Sequence, residues 1–257
     1  MTLAILSALP EEQYGLSHAL TERQEVQRAG RHFVQGRLQG LDVVLALSGI
    51  GKVAAATTTT TLIEHFGVDT LVFTGVAGGV GSSVQVGDVV VAEHFVQHDM
   101  DVRPLFPRWQ VPGYANPTFA CNGALLQALQ EAAHSCTQAA AAWNEPLLQL
   151  HTPTVHTGLI ASGDQFIVSN DVARELCSNL SAAGLSALAV EMEGAAIAQV
   201  CADYHIPFAA VRTISDRADA SAHVDFPAFV QAVASRYALH IVQHLIQNLK
   251  NKTDPAI

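Results

Sequence analysis

Short apolar runs without strict alternation recur along the chain, separated by longer stretches of helical character, and this rhythm limits the fold more than any single residue does. The runs are Leu3 to Ala8, Asp42 to Leu47, Asp69 to Thr74, Asp88 to Glu93, Val155 to Ala161, Ala187 to Glu191 and Phe208 to Thr213. Runs that stay apolar at consecutive positions read as strands covered on both faces. Helical character falls between them, at Val53 to Phe66, Cys121 to Trp143, Asp171 to Leu180, Gly194 to Tyr204 and Phe226 to Leu249. Strands alternating with helices predict a layered α/β fold around a largely parallel sheet.

Hydrophobic residues make up 49% of the 257 and charged residues 14%, against roughly 25% charge in an average domain. Such a chain must bury a large core. No Pro/Gly/Ser linker and no repeat divides it, so one domain is expected over 1–249, with a frayed tail at 250–257. Met100 to Pro117 carries Pro104, Pro107, Pro112 and Pro117 and is expected to form a long irregular surface loop. The net charge is −10 and the basic residues are scattered, which argues against a nucleic-acid partner. Cys121, Cys136, Cys177 and Cys201 show neither metal nor disulfide spacing, so reduced thiols and a cytoplasmic location are expected. The N-terminal apolar run lacks a basic flank and meets Glu11 and Glu12, which fits a buried strand and not a signal peptide. The uncharged stretch from Thr70 to Gly87 is broken by Gly75, Gly78, Gly79 and Gly81 and reads as a strand and glycine loop, not a membrane span.

In open parallel sheets ligands bind beyond the carboxyl ends of the strands. Four polar or glycine-rich segments follow apolar runs: Glu11 and Glu12, Gly75 to Gly79, Glu191 with Glu193, and Ser215 with Asp216. Glu191 and Glu193 interrupt an almost wholly apolar stretch, where an unpaired charge costs several kcal/mol. Either backbone amides at a helix N-terminus satisfy them or they hold a hydroxyl-rich ligand; two apart on an extended strand, they would point the same way. Asp216 reads equally as a turn residue or a functional acid beside Arg212, and Glu12 as a first-turn carboxylate or a catalytic one. Phe166 is either a core aromatic or a face for a flat heterocycle. The segment SGIGKVAAATT lacks a P-loop's first glycine and its hydroxyl after lysine, TGVAGGVG does not fit a dinucleotide fingerprint, and no His/Asp cluster has convincing metal spacing.

The blocks SALPEE at 7–12, SGIGKVAAA at 48–56, TGVAGG at 74–79, VGDVVV at 86–91, SGDQFI at 162–167, AVEMEGAAIAQVC at 189–201 and VRTISDRAD at 211–219 run through nearly the whole chain. In these blocks the sequence resembles the 5′-methylthioadenosine/S-adenosylhomocysteine nucleosidases of the nucleoside phosphorylase superfamily. The resemblance implies a three-layer α/β/α sandwich with a central mixed, largely parallel sheet, and a homodimer whose neighbouring subunit closes the pocket. It implies hydrolysis of an N-glycosidic bond to release adenine, with no cofactor and no metal. By position, Glu12 would activate water, Asp216 would protonate the base, and Glu193 with Met192 and Arg212 would hold the ribose. Phe166 would stack on the purine and backbone near Ile167 would read its edge. Ile50, Val76, Ala77, Gly78, Glu191, Ser215 and Phe226 would complete the pocket.

Cleaving a bond to a purine leaves negative charge on the base and positive charge on the sugar, so one group must donate a proton and another must direct water. The acid is expected to have a raised pKa and the base to stay ionised. Two other readings follow from the same fold: a phosphate-dependent purine nucleoside phosphorylase, and a non-catalytic storage or binding protein. The resemblance places Phe73-Thr74 and Pro10-Glu11-Glu12 where phosphorylases carry anion-binding groups, and a carboxylate repels phosphate. Leu9-Pro10 and Val76 depart from the family pattern, Val76 standing where a serine near the attacking water is common.

Overall fold

The computed structural model describes residues 1–143, 145–148, 151–220 and 222–253. Ten strands are present among them: β1 Thr2–Ser7, β2 Thr21–Arg28, β3 Arg31–Leu38, β4 Leu41–Leu47, β5 Thr70–Gly79, β6 Val89–Gln97, β7 Thr118–Ala120, β8 Val155–Ser162, β9 Ala187–Glu191 and β10 Phe208–Asp216. The helices are α1 Pro10–Ala19, α2 Lys52–Phe66, α3 Gly123–Ala140, α4 Asn170–Ala182, α5 Gly194–Asp203, α6 Ala222–Phe229 and α7 Ser235–Thr253.

All the strands belong to one mixed sheet. Parallel ladders join β1 to β4 and β5, β5 to β10, and β8 to β6 and β9. The remaining ladders are antiparallel. Because β5 pairs with both β9 and β10, strands β5, β10, β6, β8 and β9 close on themselves, so the mixed sheet is partly closed.

Each strand splits its apolar residues between two cores, as its pleat dictates. Leu3, Ile5, Val43, Leu45, Val72 and Val211 pack with α1, α3 and α7 on one face. Ala4, Leu6, Val44, Ala46, Phe73 and Ala210 pack with α2 and α5 on the other. This double coverage explains the unalternating runs and gives three layers. Helix α2 stops where Gly67 adopts a left-handed conformation (φ 60°) and donates to the Ile63 carbonyl.

Several sequence boundaries shift, β6 for one running on to Gln97. The 75–79 segment is not a loop: β5 continues through Gly79, and β10 likewise runs to Asp216. The helix expected over Phe226 to Leu249 is split into α6, a π-helical turn at Val230–Ala234 and α7, which continues to Thr253. Lys250 donates to the Gln39 carbonyl at 2.9 Å; of the expected frayed tail, 254–257 lie outside the described residues. The β2–β3 hairpin was not legible, since TERQEVQR is polar and almost wholly exposed. The segment 100–117 forms turns only. Among the described residues no helix is long and apolar enough to cross a membrane.

Candidate active site

The sheet edge where β1, β5, β9 and β10 end borders a cavity of about 510 Å³, within the usual size of a small-molecule site. Glu12, Val76, Ala77, Gly78, Ser215 and Asp216 form its floor, and Glu191, Met192 and Glu193 one wall. Ile50, Phe166, Ile167 and Phe226 also line it. Of the residues singled out from the sequence, Glu11, Gly75, Gly79 and Arg212 lie outside the lining. Arg212 is the one among them that was expected to hold the ribose. It is 1% exposed, packed 3.5 Å over the Phe73 ring behind the wall. The lining residues missed are Gln165, Val190 and Pro227, each beside one already chosen, and Ala8 and Leu9 at the turn from β1 into α1.

Glu12 sits in the first turn of α1, as either reading of the sequence required, but its carboxylate turns inward. Oε2 accepts from the backbone N–H groups of Ala8 (2.9 Å) and Leu9 (2.8 Å), and Oε1 from that of Val76 (3.0 Å). Burial pushes its carboxyl above the ordinary value, against the pull of Arg212 and these three donors. The base was expected to stay ionised; burial works against that ionisation while making an ionised Glu12 a stronger proton acceptor. A Cβ at Gly75 would collide with Glu12 Oε1 and Arg212 Nη1, which explains a glycine inside a buried strand.

Asp216 ends β10 opposite Gly78, where the register with β5 shifts after Ile214. The irregularity re-aims the side chain at the cavity. Its Oδ1 accepts from the Ala218 N–H and its Oδ2 from the Ser215 hydroxyl, both at 2.8 Å. The turn role and the cavity role therefore coexist. A Cβ at Gly78 would stand 2.9 Å from Asp216 Oδ1. Glu12 thus lies over Gly75 and Asp216 over Gly78, three residues along β5 or roughly 10 Å of strand.

Glu191 and Glu193 divide the two roles proposed for them. The strand ends at Glu191, and Glu193 caps α5 with a non-extended backbone, so the pair does not share one strand face. Glu191 accepts from the Gly194 N–H (2.8 Å), the Glu193 N–H (3.1 Å), Arg212 Nη2 (2.6 Å) and the Ser162 hydroxyl, which saturates it. Glu193 accepts from the Gly51 N–H at 2.8 Å and lies 3.7 Å from Arg212 Nη2. Burial and the adjacent Glu191 push its carboxyl up to about 8. Protons bound to Glu193 in the folded but not the unfolded chain stabilise the fold at low pH, and that contribution is lost as pH rises towards about 8. Glu12 acts with the same sign. Thermal unfolding of the substrate-free protein should therefore shift downward from pH 5.5 to about 8, and Glu193→Gln should flatten the slope; an unchanged slope in that variant contradicts the assignment.

Phe166 is no core residue: it is 49% exposed, and its ring meets Phe226 edge-on at 5.5 Å across the mouth. Among the described residues the charged side chains lining the cavity are Glu12, Glu191, Glu193 and Asp216, with no Lys or Arg. No group of three or more His, Cys, Asp or Glu residues is placed to hold a metal ion among the described residues.

Residues 2–247 match the profile of the phosphorylase superfamily. The chain belongs to the phosphorylase superfamily. Within that superfamily it is 38% identical to a 5′-methylthioadenosine/S-adenosylhomocysteine nucleosidase of Anoxybacillus flavithermus, over 97% of this chain and 99% of the relative. It superposes on the Neisseria meningitidis enzyme of that name, solved in complex with methylthio-immucillin-A, with TM-score 0.84 and 33% identity, covering 96% and 99% of the two chains. The Colwellia psychrerythraea nucleosidase in complex with adenine gives TM-score 0.85 at 33% identity, covering 96% and 95%. The sandwich with a closed strand ring is thus the superfamily fold.

Proposed function

We propose that this protein hydrolyses the N-glycosidic bond of 5′-thio-substituted adenine nucleosides, methylthioadenosine and S-adenosylhomocysteine, releasing adenine. The observation that carries the reading is that no Lys or Arg is among the described residues lining the cavity, and that the Arg212 guanidinium behind its wall is engaged by Glu191. A phosphate dianion would find no cationic partner among these residues, whereas neutral water needs none. The relatives' names and the ligands in their structures support the adenine nucleoside.

In this reading the ribose lies against Glu193 and the Met192 backbone, and the purine between Phe166 and the Ile167 segment. Asp216 delivers its proton to a ring nitrogen of the purine as the C–N bond breaks, so the electron pair leaves on a neutral base. Glu12, which lines the cavity, takes a proton from the water that attacks the anomeric carbon. Arg212 acts from behind, holding Glu191 and Glu193 in place instead of touching the sugar. Val76 gives its backbone N–H to Glu12 and brings no side-chain hydroxyl to the water.

Adenine release from methylthioadenosine should proceed at the same rate with phosphate added or rigorously removed. Strict dependence on phosphate would replace the hydrolytic reading by the phosphorolytic one; no release from any adenosine would leave a binding protein. A homodimer fits the apolar side chains left exposed around the mouth and loop, Ile50, Val53, Leu105, Phe106 and Val168. Four unbridged cysteines, two of them buried, fit a reducing cytoplasmic setting. The lining residues run from Ala8 to Pro227, in keeping with one catalytic unit over 1–249.

A further inference from the structure

Asp88 immediately precedes β6 and is 1% exposed, outside the catalytic cavity. Its Oδ1 accepts from His151 Nε2–H (2.8 Å) and the Thr154 backbone N–H (2.8 Å), and its Oδ2 from His156 Nε2–H (2.8 Å) and the Gln85 backbone N–H (2.9 Å). Four donors on two oxygens compensate a buried charge. Burial pushes this carboxyl up, but His151, Thr154, Gln85 and His156 together hold it below its ordinary value, so the cluster stays assembled across neutral pH.

The main chain at this cluster is bonded directly to the strand that carries Asp216. The Gly87 N–H donates to the Ile214 carbonyl and the Ile214 N–H to the Asp88 carbonyl, both at 2.8 Å. The Tyr237 hydroxyl donates to the Gly87 carbonyl at 3.0 Å. Beyond the register shift, the Arg217 guanidinium bonds the Val84 carbonyl. Residues 84–88 therefore grip β10 on both sides of Ser215 and Asp216, where the strand leaves regular pairing and needs an external hold to keep one geometry.

We propose that Asp88, clamped by His151 and His156, is a positioning residue for Asp216: it fixes the irregular end of β10 so that the acid meets the leaving base. The inference rests on Asp216 being that acid. Displacements of about 1 Å at a reacting group cost up to roughly 10²-fold in rate.

The test compares Asp88→Ala, His156→Leu, His156→Gln and Asp216→Asn on methylthioadenosine and on a 5′-methylthioriboside of p-nitrophenol, whose leaving group needs little protonation. Asp88→Ala and His156→Leu should lower kcat on methylthioadenosine by about 10- to 100-fold with KM nearly unchanged, and lose far less on the activated substrate. His156→Gln, which keeps a side-chain N–H donor, should regain most of the loss. Should Asp88→Ala fail to fold, His156→Leu carries the comparison. Equal losses on both substrates, or none, with Asp216→Asn still discriminating between them, would overturn the positioning role and leave the acid intact. If Asp216→Asn itself fails to discriminate, the acid assignment falls and the positioning role falls with it.

Discussion

Asp216→Asn should fold normally and lower kcat on methylthioadenosine by about 10²- to 10⁴-fold, the usual worth of a general acid. The substitution is nearly isosteric. Asparagine keeps the oxygen that accepts from the Ala218 N–H, and its amide can donate to the Ser215 hydroxyl in place of the present bond. What it cannot do is release a proton to the purine. Adenine should still bind, because the stacking surface at Phe166 and Phe226 is untouched. Steady-state kinetics with equilibrium binding of adenine separates the two effects. Wild-type kcat in the variant would remove Asp216 from the mechanism.

Glu12→Gln should lose activity on the same scale, about 10²- to 10⁴-fold in kcat, for the opposite reason: the site keeps its acid and loses the group that takes the proton from water. Here a stability cost accompanies the kinetic one. Glu12 accepts three backbone N–H bonds through two oxygens, from Ala8, Leu9 and Val76. A glutamine has one acceptor oxygen, so its NH₂ must face at least one N–H, leaving a buried donor unsatisfied at a cost of about 1–3 kcal/mol. Kinetics with thermal melts should therefore show a modestly destabilised, folded and nearly inactive protein. A variant that melts lower but turns over at the wild-type rate would leave Glu12 a purely structural cap.

How much of this was legible in advance differs from residue to residue. Glu12, Glu193 and Asp216 stood out because each follows or interrupts an apolar run, where an ionisable group demands a reason. Arg212 stood in the right block, but its place behind the wall was hidden, since a strand position does not say which neighbour a long side chain reaches. The Gly75 to Gly79 segment misled: glycine reads as a loop signal, yet here it marks a strand on which Glu12, Arg212 and Asp216 lie too close for a Cβ. The β2–β3 hairpin was invisible because its outer strand buries almost nothing.

The amino-acid order alone settled the layered α/β class, through apolar runs that need cover on two faces, and it marked the carboxylates on which the chemistry turns. Those are local properties, set by burial and by the two periodicities of the backbone. The division of labour between Glu191 and Glu193, the raised basicity of Glu12, the aim of Asp216 and the closing of the strands around β5 were decided by the tertiary structure. Each depends on which distant donors and charges arrive within a few ångströms, and only the folded arrangement brings them there.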